Sequence, residues 1–400
     1  MKVKVLAFAD FPSPYRVEVF KGLAKKYEIF AVFDKMSDQN RNAEWFCKDT
    51  GLNSISLLEE AGRVQFEKEV KEIKKYDLVL AYDYHIRNAI KLELACIRNK
   101  VPYIMNLDGA FIRKNFLKNL IKRYLVTHAS GYFASGSHAA EYFKYFGADE
   151  SKIYYHPFTS LHEEEILKIP VSKEEKNIYK RNLGLSSKKM VLTIGQFIYR
   201  KGFDILLGAW SKELDEKYTL VIVGGGEEEN QYREYISKHN LKNVHLVGFK
   251  QKNEIFEYYK AADLFVLPTR EDIWGLVINE AMAFGLPVIA TDMCLGAVEL
   301  IENGVNCIIL TTYNNPSIAR KILCTKGCKD VTFFNISYDC MYEWYVEQLE
   351  VPYYFVLHPN KKASDFFLPE KSKPDITDSY IKSIARICSV NGVSINNKYK

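Results

Sequence analysis

No stretch of this 400-residue chain approaches the ~18 consecutive apolar residues that a membrane-crossing helix needs. The opening MKVKVLAFADFP is a short apolar strand with a small basic patch. It lacks the longer apolar core and the small-residue cleavage site of an export signal. Eight cysteines are scattered from Cys47 to Cys388 without a tight framework, so free thiols in a reducing cytoplasm are the expectation. Cys324 and Cys328 stand four apart, but the residues around them offer no second ligand pair, and no metal is expected there. An Asp-x-Asp pair and internal repeats are missing, and low complexity is confined to the polar end NNKYK. Charge of one sign is also scarce: 55 Lys and Arg against 50 Asp and Glu leave +5. That balance and the want of a recognisable module exclude nucleic acid as an expected partner, yet suit a phosphorylated ligand or an anionic membrane surface.

What is there suits two globular domains. Hydrophobic residues reach 48% and charged residues 26%, enough to build real cores over this length. In the first half, apolar strands such as VKVLAFA (3–9), EIFAVF (28–33), DLVLAY (77–82), VPYIMNL (101–107) and GYFASG (131–136) alternate with helix-like stretches. That alternation predicts a parallel sheet covered on both faces. A polar, Pro- and Gly-punctuated stretch follows and reads as a linker with a short helix. The alternation restarts at MVLTIG and runs through YTLVIVG, VHLVG, DLFVLPT, PVIAT and NCIIL. The expected division is a first domain over 1–160, a linker over 161–188, a second domain over 189–315 and an atypical region over 316–400.

Three segments of the second domain carry chemistry. In GQFIYRKG a strand ends at Gly195 and a loop holds Arg200 and Lys201. Doubly wound folds bind phosphates at such a place, and a guanidinium fork beside an ammonium suits a diphosphate; the bland alternative is a solvated basic turn. In VIVGGGEEE, Gly224, Gly225 and Gly226 follow a strand and open a helix, as a tight turn or as a ligand loop. In REDIWGLVINEAMAFGLPVIAT a loop with Arg270, Glu271, Asp272 and Trp274 leads through Gly275 into a helix bearing Glu280. Carboxylates there accept bonds from sugar hydroxyls, and the free N–H groups of Gly275 and Leu276 suit phosphate. Glu280 sits among Ile278, Ala281 and Met282, where a carboxylate needs a partner or a ligand.

In this order and at this spacing, residues 191–310 resemble glycosyltransferase family 4, the retaining group of GT-B type. The resemblance implies two doubly wound Rossmann-like α/β domains facing a central cleft. It implies a glycosyltransferase of hexosyltransferase type that moves a sugar with retention from a UDP- or GDP-type donor to a glycan or lipid-linked acceptor in cell-surface polysaccharide biosynthesis. Lys201 and Arg200 would neutralise the diphosphate, Glu280 would hold the ribose, and Asp272 would touch the transferred sugar. Gly195, Gln196, Gly224, Gly225, Trp274, Gly275 and Leu276 would line the donor site, and the backbone near Gly248 and Phe249 would face the base. No cofactor or metal would be required, because the protein's own cations and amides hold the departing phosphate. Departures are visible: Asp272 stands where the family has Glu, and Gln196 where it often has Arg. ADFPSPYR, with Arg16 a candidate anion ligand, replaces a Gly-Gly loop. Asn106-Leu107-Asp108-Gly109 replaces a His-Gly pair, leaving Asp108 to orient acceptor or sugar. Relatives end in a helix that returns to the first domain, which 316–400 does not clearly match.

The segment FIRKNFLKNLIKR (111–123) reads as a basic amphipathic helix, and no acid occurs between Asp108 and Glu141. It is a candidate contact with anionic lipid at the inner face of the membrane, the alternative being an ordinary surface helix. His85, at a strand end, is a further cleft candidate or a helix cap. The rival function is a non-catalytic nucleotide-sugar-binding partner of another transferase.

Overall fold

The computed structural model describes residues 2–36, 46, 47, 49–113, 115–156, 158–167, 169, 171–301 and 308–310. The region 316–400, the Cys324–Cys328 pair and Lys114 lie outside the described residues. The chain divides into two compact units, the second beginning at Ser160.

The first unit holds strands β1 (Lys4–Ala9), β2 (Glu28–Phe33), β3 (Ser54–Ser56), β4 (Leu78–Ala81), β5 (Tyr103–Leu107), β6 (Gly131–Ala134) and β7 (Ile153–Tyr155). All pair in parallel, in the order β3-β2-β1-β4-β5-β6-β7. β1, β4, β5 and β6 are buried almost throughout, which is why they read as continuous apolar runs. Helices α1 (Pro14–Ala24), α2 (Glu60–Lys71), α3 (Arg87–Asn99), α4 (Phe116–His128) and α5 (Ser137–Tyr145) connect them. Pro14 opens α1, where its missing N–H costs nothing. Lys100, left-handed at φ 58°, ends α3. The strands β3 and β7, three residues each, and the helix α5 carry too little pattern to be foreseen.

The second unit contains α6 (Lys173–Asn182), β8 (Lys189–Ile194), α7 (Phe203–Ala209), α8 (Lys212–Lys217), β9 (Tyr218–Val223), α9 (Glu229–His239), β10 (Val244–Val247), α10 (Lys252–Ala261), β11 (Leu264–Leu267), α11 (Leu276–Ala283), β12 (Val288–Thr291), α12 (Leu295–Leu300) and β13 (Ile308–Leu310). Its sheet is parallel in the order β10-β9-β8-β11-β12-β13. The strand order reverses between β8 and β11, so the loops leaving those two strands share the crevice where such sheets bind ligands.

The segment read as a linker is instead part of this second unit. Ser172 and Glu175 form a reciprocal capping box that starts α6. The buried Lys180 then donates to Asp263 at 2.6 Å, and Leu161, Tyr179 and Leu183 join the core under α10 and α11. Its polar composition belongs to the outer face of a packed helix.

Candidate functional site

The loop after β8 forms a short 3₁₀ turn over Tyr199–Lys201 and closes on Gly202, left-handed at φ 69°. A Cβ at Gly202 would sit 2.1 Å from the Pro268 carbonyl oxygen, so only glycine lets this turn lie against the end of β11. The loop after β11 grips it from the other side. The Arg270 amide and the Thr269 hydroxyl both donate to the Arg200 carbonyl, at 2.8 and 2.9 Å. The Arg270 guanidinium makes two 2.7 Å bonds to Asp204 and lies 4.0 Å from the Tyr199 ring centroid. Arg270 therefore holds the turn that presents Arg200 and Lys201.

Lys201 donates to Asp272, and Arg200 lies 3.6 Å from the same carboxylate while donating to the Glu271 carbonyl at 2.7 Å. Asp272 is buried. Burial by itself raises its carboxyl pKa. The Lys201 charge and hydrogen bond, with Arg200 behind them, outweigh that and hold it below the usual carboxylate range. The Asp272 backbone is pinned to the loop after β12, its amide donating to Met293 at 2.8 Å and its carbonyl accepting from Leu295 at 3.0 Å.

Gly275, left-handed at φ 76°, caps α11, and a Cβ there would meet Cys294 Sγ at 2.7 Å. The N-terminal amides of α11, Leu276 among them, thus begin beside Asp272. Glu280 stands five residues beyond Gly275, ~7.5 Å along the helix axis. It accepts from Ser160 Oγ at 2.6 Å and from the Tyr259 hydroxyl at 2.8 Å, one bond to each oxygen. Burial pushes its pKa up against those two donors.

The other expected residues take varied places. Gly195 directly follows β8, and Gln196 after it is half-buried. Gly224, at φ 145°, fits because a Cβ would lie 1.9 Å from the Gly195 carbonyl oxygen, so the β8 and β9 loops pack backbone to backbone. Gly225, in contrast, faces open space. Phe249 is half-buried between β10 and α10. Trp274 is buried, its indole N–H donating to Asn279 at 3.0 Å. The first unit holds Asp108, which accepts from Arg16 at 2.8 Å and from Asn106 at 3.0 Å. Arg16 is itself buried with its guanidinium 3.9 Å from the Tyr82 ring centroid, so its charge is already committed within the protein. His85 is exposed, and Ile86 rather than His85 caps α3. Sequence reasoning missed Ser160, Tyr259 and the Arg270–Asp204 clamp. The unexplained carboxylate in an apolar helix was the signal for a partner, but nothing local names Ser160, 120 positions away.

Residues 175–324 match the family described as glycosyl transferases group 1. An uncharacterized glycosyltransferase of Methanocaldococcus jannaschii is 32% identical over 183 residues, covering 44% of this chain and 46% of the relative. The N,N'-diacetylbacillosaminyl-diphospho-undecaprenol alpha-1,3-N-acetylgalactosaminyltransferase of Campylobacter jejuni is 26% identical over 235 residues, covering 56% and 61%. The chain thus spans about half the length of these curated relatives. Among solved structures, Anabaena HepE in complex with UDP and glucose superposes with a TM-score of 0.65 over 97% of this chain and 100% of its own, at 19% identity. That likeness shows the fold, the α/β architecture of GT-B type with two Rossmann-like sheets.

Proposed function

We propose that this chain, whose residues 175–324 match the family described as glycosyl transferases group 1, moves a sugar from a nucleoside-diphosphate sugar to a glycan or lipid-linked acceptor. The observation that carries the reading is the clamped cation pair Arg200–Lys201 at the β8/β11 switch point, held on Asp272 beside the start of the helix α11 that bears Glu280. Lys201 and Arg200 neutralise the diphosphate, the first amides of α11 add partial positive charge, and Glu280 takes the ribose diol. As the glycosidic bond breaks, negative charge grows on the diphosphate, and fixed cations in a sheltered site stabilise that charge. Asp272, kept ionised by Lys201, stands ready for a sugar hydroxyl once the ammonium turns to phosphate. The family likeness supports retention, with the donor phosphate taking the acceptor's proton and no added cofactor. The UDP-bound state of the Anabaena protein supports a nucleotide donor. Thermal-shift screening of UDP- and GDP-sugars tests this: the donor raises the melting temperature, and Lys201→Ala removes the rise. Slow donor hydrolysis without acceptor distinguishes a transferase from a nucleotide-sugar-binding partner.

The exposed surface of α4 supports a second element of the reading, peripheral contact with an anionic membrane. Asn115 caps this helix through Lys118, so Phe111, Ile112, Arg113 and Asn115 lie outside it and the amphipathic segment is 116–128. Phe116, Leu117, Leu120, Ile121 and Tyr124 form one stripe and are 77, 72, 50, 49 and 47% exposed. Lys118 and Arg123 flank it, and Lys122 ties the helix to Tyr142 at 2.8 Å. Among the described residues no helix is long and apolar enough to cross a membrane. Vesicles containing anionic lipid are expected to bind the protein in a salt-sensitive manner, and Phe116→Ser with Leu117→Ser is expected to reduce that binding; equal binding by the variant in co-sedimentation would overturn the contact.

A further inference from the structure

The carboxylate assigned to the ribose is held from a place that the resemblance does not supply. Ser160 is the first residue of the second unit, where the chain arrives from the first. Its hydroxyl donates to Glu280 Oε1 at 2.6 Å while its carbonyl accepts from Lys252 at 2.9 Å. Lys252 opens α10 directly after the 248–251 loop, and it also bonds Glu165 at 2.6 Å. Further along, the Leu167 amide donates to the Ala283 carbonyl at 3.1 Å, so residues 160–167 run beside the second half of α11. On the other carboxylate oxygen sits the hydroxyl of Tyr259, a fully buried residue of α10.

Each carboxylate oxygen offers two lone-pair directions. Ser160 fills one on Oε1 and Tyr259 fills one on Oε2. Among the described residues one direction per oxygen is left, which is what a vicinal diol requires. We infer that Ser160 is a positioning residue for Glu280, presetting the carboxylate for a ribose diol and linking the segment by which the chain enters the second unit to nucleoside occupancy. This rests on the donor reading above. The groups that face Glu280 from neighbouring elements are Tyr259 and Lys252 of α10 and Glu165 of the 160–167 segment. Ser160 and Tyr259 favour the ionised carboxylate, and burial opposes them. Removal of Ser160 therefore raises the pH below which Glu280 is protonated and a diol loses its acceptor.

The test measures dissociation constants of UDP and GDP for the full chain across pH 5 to 9 by calorimetry. Ser160→Ala is expected to weaken the nucleotide that binds by about tenfold, as for loss of a bond to a charged group. The acid limb of its binding profile shifts to higher pH, and Ser160→Thr, which keeps the hydroxyl, restores both. Hydrogen exchange adds a second readout: the nucleotide slows exchange over 160–167 in the wild type and less so in Ser160→Ala. Unchanged affinity and an unchanged acid limb in Ser160→Ala, with wild-type binding intact, would overturn the positioning role alone. A wild-type chain that binds neither nucleotide would overturn the donor reading and this inference with it.

Discussion

In the first unit the loops leaving β1 and β4 bring Asp10 and Asp83 together, the Asp10 amide donating to Asp83 at 2.7 Å, and β5 adds Asp108. In the second unit the equivalent loops, leaving β8 and β11, bring Arg200 and Lys201 onto Asp272. The strand order around the two crevices is the same. The charge is not. Burial raises the pKa of Asp83 against the opposing charge of Arg16, and that of Asp10 against Lys35. Asp272 is shifted the other way by its two cations. Topology supplies a place for a ligand, and the side chains decide which ligand suits it. A cation-rich crevice suits a diphosphate, whereas a carboxylate-rich one suits the hydroxyls of a glycan.

The sharpest way to break this contrast is to remove the charge that defines the second crevice. Lys201→Ala is expected to lower sugar transfer about 10²–10³-fold, the usual loss when one preorganised charge-stabilising group is deleted. Glu228, which lies at the start of α9 and accepts from Tyr232 at 2.6 Å, is the control, and Glu228→Ala leaves turnover unchanged. Equal losses in both variants would show that the charge at the switch point is not what matters.

The matching change in the first unit affects stability instead. The Arg16 and Asp108 side chains are 8 and 14% exposed, and Arg16 also covers the Tyr82 ring. Arg16→Met leaves a carboxylate largely buried without its cation, at a cost of about 3 kcal/mol in unfolding free energy. Nucleotide binding is expected to survive in the folded fraction. Denaturant melts and calorimetry on the same sample check both halves, and a loss of nucleotide affinity matching that of Lys201→Ala would erase the distinction between the crevices.

The two units were also unequally legible in the sequence. The second announced itself through strand ends followed by polar loops, and Asp272 and Glu280 were visible as acids at a strand edge and in an apolar helix. Their partners were not, because pairs such as Ser160–Glu280 and Arg16–Asp108 are made by tertiary packing across 120 and 92 positions. The false linker had its own local signal, the capping box Ser172–Glu175, which polar composition obscured. Trp274 was visible as a loop residue, but its partner Asn279, one turn into α11, was not: that contact too is made only on folding.

The smallest expected effect concerns a half-buried and a fully buried glutamate, Glu280 and Glu93. Glu280 has a hydroxyl on each oxygen. Glu93, inside α3 and fully buried, has no hydrogen-bond partner on either oxygen among the described residues. Burial drives its pKa well up, so the folded state keeps this proton where the unfolded chain has released it. Stability therefore falls as pH rises through the ordinary glutamate range, until the folded carboxyl itself ionises; below that range both states carry the proton and this dependence vanishes. Glu93→Leu removes an unsatisfied polar group from an apolar site and is expected to stabilise the first unit by about 1–2 kcal/mol at pH 8, less at pH 4. Glu280→Leu, by contrast, leaves the Ser160 and Tyr259 hydroxyls without an acceptor and is expected to destabilise. Urea melts of both variants at the two pH values decide the matter. A Glu93→Leu protein less stable than the parent at pH 8 would mean that this carboxyl has a partner in solution, and the contrast between the two glutamates would fall.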